Sequence, residues 1–116
     1  MTVYKRGQVV LVPFPFTDLT SVKQRPALVV SADQFNASRP DVILAAITSQ
    51  ISPQLGDDEM LVSVAELAQW GLPKPSVLKL AKLFTIHQGL IRKSLGKSSP
   101  VALEIILRRL QRQFEP

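Results

Sequence analysis

Apolar positions fall in short runs along most of this chain and in a helical stripe only near its end. Residues 8–12, 26–31, 42–48 and 60–64 are each about one strand long, and residues 77–80 and 83–86 predict two further short strands. Pro13 and Pro15 are expected to close the first strand, because proline has no N–H to give a sheet ladder. Pro26 opens the second and pushes Arg25 into extended backbone. Residues 33–37 predict a helical turn capped by Asp33, and residues 65–70 another, stopped by Gly71 and Pro73. Residues 16–24 and 51–59 read as polar loops. Near the end, Ser99 suits an N-cap and Pro100 the first helical position. Leu103, Ile106, Leu107, Leu110 and Phe114 then form one apolar stripe, with Arg108, Arg109 and Arg112 off it, towards the favourable C-terminal end of the helix dipole. Short, closely spaced strands followed by one amphipathic helix predict a mainly β fold with α elements, built as a small β-barrel.

Composition limits what such a fold does. The 116 residues suit one domain, 1–116, with a single core. No apolar stretch approaches the roughly 20 residues of a membrane span, and no signal-type segment follows the first charges. The absence of cysteine removes disulfides and thiolate sites from consideration and fits a cytoplasmic setting. The net charge of +5 is unevenly placed. Residues 1–73 carry five Lys/Arg against seven Asp/Glu, whereas residues 74–116 carry nine against two. A basic second half suits a polyanion or an acidic protein partner, and equally a solvated helix face.

Two of the strand-length runs end in polar groups. Arg25 stands at the start of one and Thr48 at the end of another, so neighbouring strands would bring a guanidinium and a hydroxyl to one sheet rim. Around them the chain reads Lys5-Arg6-Gly7-Gln8-Val9-Val10-Leu11-Val12, Phe14-Pro15-Phe16-Thr17-Asp18, Gln24-Arg25-Pro26-Ala27-Leu28-Val29-Val30-Ser31 and Ala45-Ala46-Ile47-Thr48-Ser49-Gln50. This ordered set, over roughly residues 4–95, resembles the MazF/PemK family, the toxin halves of bacterial type II toxin–antitoxin pairs. The resemblance implies an SH3-like barrel with short helices. It also implies metal-independent, sequence-selective cleavage of single-stranded RNA, with no cofactor, by attack of a 2′-hydroxyl that leaves a 2′,3′-cyclic phosphate. The implied partners are single-stranded RNA, a cognate acidic antitoxin and a second copy of the chain in a homodimer.

That reaction needs charge neutralised on the phosphate oxygens. Arg25 fits this role, because its planar fork engages two oxygens together and stays charged at any ordinary pH, which also makes it a poor base. Thr48 would hold the attacking hydroxyl or the phosphate; in another context it is an ordinary strand residue. Phe16, Thr17, Lys23, Gln24, Ser49 and Gln50 are the candidate RNA contacts, with Phe14 and Phe16 able to stack on bases or to serve the core. Asp18 is the auxiliary carboxylate nearest the arginine. The chain departs from its relatives at Thr20, where several carry a glutamate, at Ala81, where many are acidic, and at His87, where many have aspartate. His87, the sole histidine, rules out a two-imidazole mechanism. Asp57, Asp58 and Glu59 read as a solvated loop. The departures keep a second reading open, a non-catalytic toxin or binding protein on the same barrel, of gyrase-poisoning type or binding RNA or antitoxin alone.

Overall fold

The computed structural model describes residues 2–14 and 23–116. In chain order the elements are β1 (Gln8–Phe14), β2 (Lys23–Val29), α1 (Asp33–Ser38), β3 (Asp41–Thr48), β4 (Glu59–Leu61), α2 (Val64–Trp70), β5 (Val77–His87), a 3-10 turn at Gln88–Leu90, β6 (Lys93–Lys97) and α3 (Pro100–Arg112). The strands form one antiparallel sheet in the order β4-β5-β3-β2-β1-β6. The expected β plus α architecture is therefore present, but the sheet is not closed, since the edge strands β4 and β6 do not pair with each other. Register shifts at Val9/Val10 against β6 and at Ala45/Ala46 against β5 add bend and twist. Among the described residues no helix is long and apolar enough to cross a membrane.

Both faces of the sheet are covered, which is why its central strands read as unbroken apolar runs rather than alternating ones. One face gathers Val9, Leu28, Val30, Ala45, Ile47, Leu78 and Leu80 beneath Trp70, Leu72 and Ile106. The other gathers Val10, Val12, Ala27, Val29, Val42 and Leu44 with Ile91, and half-buried Tyr4, Phe14, Phe84 and Ile86 pack against it. Each fully buried Leu or Ile in these layers contributes on the order of 2 kcal/mol.

Several local readings are corrected. β1 continues through Pro13 to Phe14. The last β6 partner of β1 is Lys93, opposite Leu11, so the rest of β1 is an edge, where proline is tolerated. The two strands expected at 77–80 and 83–86 are one bulged strand, β5. β6 has no counterpart among the expected strands, because Lys-Ser-Leu-Gly-Lys has no strand pattern of its own and is organised by pairing to β1. Asp33 does not cap α1: Ala32 is the N-cap residue, and Asp33 Oδ1 instead accepts the Arg6 N–H at 2.7 Å. Phe114, expected to end the apolar stripe, is 72% exposed. His87 has a structural role, its Nδ1 accepting the Gly89 N–H at 2.9 Å.

Two close approaches fix α2 against β6. Gly71 ends α2 in the left-handed region (φ 75°), and a Cβ there would lie 2.1 Å from the Leu95 carbonyl oxygen. A Cβ on Gly96 would lie 2.2 Å from the Gln69 oxygen, so α2 and β6 meet backbone to backbone. The seam seats Trp70, whose indole donates to Glu66 Oε1 at 2.8 Å; that oxygen also accepts the Ser99 N–H at 3.1 Å. Ser99 caps α3 as expected, accepting the Ala102 N–H at 3.1 Å.

At the end of the sheet where β2 leaves and β3 enters, three buried polar side chains are fully engaged. Gln88 Nε2 donates to the Asn36 and Arg39 carbonyls at 2.8 and 3.0 Å, and Gln88 Oε1 accepts the Tyr4 N–H at 2.9 Å. Asn36 Nδ2 donates to the Tyr4 and Ser31 carbonyls at 3.0 and 3.2 Å, while Asn36 Oδ1 accepts the Ser31 hydroxyl. Ser31 Oγ in turn accepts the Ile43 N–H at 3.0 Å.

Candidate functional site

The opposite end of the same strands carries the sequence-predicted residues. The β2–β3 ladder pairs Val29 with Leu44, Leu28 with Ala45 and Ala27 with Ala46. The ladder ends there; two residues further along each strand, alternation puts Arg25 and Thr48 on the same face at the same rim. Outward from this pair, Val12 lies opposite Arg25 and Val77 opposite Thr48. Directly opposed residues share a face, and both belong to the face of Val10, Ala27 and Leu44. Arg25 is exposed, and its guanidinium has no hydrogen bond or ion pair among the described residues. Thr48 is half-buried, and its Oγ1 accepts the Gln50 N–H at 3.1 Å. That bond closes a local turn and occupies one lone pair, so the hydroxyl proton remains available to an outside acceptor.

The remaining candidates divide. Lys23 begins β2 opposite Phe14, two residues from Arg25 and hence on its face. Gln24 is exposed, but strand alternation turns it to the opposite face. Ser49 and Gln50 are exposed just beyond β3, continuing the rim. Phe16, Thr17 and Asp18, together with Thr20, lie outside the described residues. Phe14 packs against Phe84 with ring centroids 5.0 Å apart, a place in the second core layer rather than on a free surface.

A family model for the "PemK-like, MazF-like toxin of type II toxin-antitoxin system" matches residues 5–114. The chain belongs to that family. A comparison with curated protein sequences finds no significant match. Among solved structures, the MazE–MazF complex (Form-II) from Deinococcus radiodurans superposes with a TM-score of 0.77 at 17% identity, covering 97% of this chain and 96% of that one. An endoribonuclease from Mycobacterial species gives 0.74 at 20% identity over 97% and 91% of the two chains. Mycobacterium tuberculosis toxin MazF-mt6 gives 0.72 at 18% identity over 92% and 95%. At such identities the likeness shows the shared fold.

In this member of the family a second polar pair, not singled out in the sequence, shares the face of Arg25. Lys79 lies opposite Ala46 on one side and Glu59 on the other, and Lys79 Nζ stands 3.3 Å from Glu59 Oε2. Glu59 therefore opens β4 instead of ending a solvated loop. Its Oε1 accepts the Gly56 N–H at 2.9 Å; that bond first, and Lys79 beside it, hold the carboxyl below its ordinary value. Arg109 of α3 steadies the segment by donating to the Asp57 and Glu59 carbonyls at 2.7 and 3.1 Å. The available signal was Lys79 interrupting the apolar run from Val77 to Leu80.

Proposed function

We propose that this chain is an endoribonuclease toxin that cuts single-stranded RNA without a metal, leaving a 2′,3′-cyclic phosphate and a 5′-hydroxyl. The observation that supports the reading is that neighbouring strands β2 and β3 bring Arg25, unengaged among the described residues, and Thr48, oriented by Gln50, to one face at one rim. Arg25 spreads its donors over the two non-bridging oxygens as negative charge builds there, and it is the candidate proton donor to the departing 5′-oxygen. Thr48, oriented by the Gln50 N–H, donates to a phosphate oxygen. The 2′-oxygen–phosphorus bond forms as the phosphorus–5′-oxygen bond breaks, and the 2′ proton leaves to Asp18 or to solvent. Lys23 holds a flanking phosphate, and Ser49 and Gln50 meet base edges. None of these roles requires a metal.

The working unit in this reading is a homodimer with RNA between protomers, and an acidic antitoxin segment blocks the same basic surface. Incubating the full chain with a long mixed-sequence transcript in EDTA, then mapping the ends, tests it. Cuts at a recurring sequence, ending in cyclic phosphate and lost in Arg25→Ala, are the expected result. RNA bound but uncut by wild type would instead establish the non-catalytic reading. Cleavage unchanged in Arg25→Ala would remove Arg25 from the mechanism.

A further inference from the structure

We propose that Lys79 is a second phosphate-binding cation next to the Arg25–Thr48 rim, and that Glu59 is a resident anion which an RNA phosphate must displace to reach it. The inference rests on the reading of the chain as an RNA-cleaving toxin and adds a subsite to it. Its basis is a row of cross-strand neighbours on the face of Arg25: Val10, Ala27, Ala46, Lys79 and Glu59, each opposite the next. One pleat away on the same face stand Arg25, opposite Val12, and Thr48, opposite Val77, which in turn faces Leu61. Thr48 and Lys79 are therefore diagonal neighbours, with Cα atoms on the order of 7–8 Å apart, within reach of a long side chain. On this face Ala27 and Ala46, both buried, lie in the row that leads to the lysine, and Thr48 lies between the arginine and the lysine in the next row. A strand of RNA whose scissile phosphate sits at Arg25 and Thr48 passes an adjacent phosphate towards Lys79.

The ion pair has the properties of an exchangeable contact. The Lys79 side chain is 34% exposed, whereas Glu59 is 16% exposed and is held by more than its cation. Gly56 N–H binds the other carboxylate oxygen, and Arg109 binds the backbone of the same residue. Lys79 can thus swing to a phosphate while Glu59 stays where it is. A lysine whose one partner among the described residues is a carboxylate exchanges that anion for another with little loss, and the carboxylate keeps its backbone donor.

The test is binding of a 2′-O-methylated single-stranded oligonucleotide, which resists internal attack, measured by fluorescence anisotropy at several salt concentrations. Each phosphate neutralised on a single strand contributes about 0.7 to the slope of log affinity against log salt. Lys79→Met is expected to lower the slope by about 0.7, so its deficit against wild type shrinks about 2.6-fold between roughly 50 and 200 mM salt. Lys79→Arg should restore the slope. Glu59→Gln should tighten binding several-fold without lowering it. An unchanged slope in a Lys79→Met protein that melts like wild type would overturn the subsite. So would weaker binding in Glu59→Gln. If wild type neither binds nor cuts RNA, the parent reading falls and takes the subsite with it. If wild type binds and cuts but the Lys79→Met slope is unchanged, only the subsite falls.

Discussion

The two ends of β2 and β3 use polar side chains in opposite ways. Where β2 ends and β3 begins, Asn36 is 1% and Gln88 3% exposed, and every amide group of both has a partner inside the chain. At the other end, Arg25 extends into solvent with no partner among the described residues, and Thr48 spends one lone pair on Gln50. A buried amide without partners would cost about 1–3 kcal/mol, so the first end is closed to visitors. The second end costs stability nothing to leave open, and its groups remain available to a ligand. The contrast separates polar residues that build the fold from those it leaves open.

Exchanging the two roles tests that contrast, and the largest effect is expected at Arg25. Arg25→Ala should lower the cleavage rate by a hundred- to thousandfold, about 3–4 kcal/mol of barrier, while the urea midpoint stays at the wild-type value. Asn36→Ala should do the reverse. Stability falls by about 2–3 kcal/mol in urea titration, because Ser31 and two carbonyls lose their partner, while cleavage per folded molecule is kept. Thr48→Val removes the hydroxyl and keeps the shape, and should slow cleavage about tenfold with no change in melting. The smallest effect is at Glu66. Burial pushes its carboxyl up, but the Ser99 N–H, the Trp70 indole and the Ser99 side chain together outweigh that and leave it below the ordinary 4.5. A depressed carboxylate contributes its stability above that ordinary value and loses it as pH falls through the lower folded-state value. The difference in urea midpoint between wild type and Glu66→Gln should therefore be steady near neutrality and shrink as the solution is acidified below 4.5.

What the sequence conveys follows the physics of burial. β1, β2 and β3 are legible because strands covered on both faces have no polar interruptions, and α3 because Ser99, Pro100 and its stripe agree. β6 is hidden: an edge strand of two lysines, a serine, a glycine and a single leucine owes its form to β1. β5 reads as two strands because Ala81 and Lys82, within the bulge of residues 80–82, break the apolar pattern. Asp33 passes for a cap because its real partner, Arg6, lies 27 positions away. Arg25 and Thr48 are legible as polar ends of apolar runs. Gln24 joins them only by nearness in sequence, which ignores that consecutive strand residues face apart. The Lys79–Glu59 pair escapes a linear reading because it is made by register between two strands, and Glu59 resembles the third member of an acidic loop.

Where the last residues of α2 cross β6, main chain rests on main chain without any side chain as a cushion. Such a joint has no slack. One methyl group at position 96 would act as a shim, prying the helix off the strand and swinging Trp70 outward. The Trp70–Glu66–Ser99 chain of bonds would carry the strain to the first turn of α3. The smallest side chain that chemistry offers at that spot would thus unseat two helices at once.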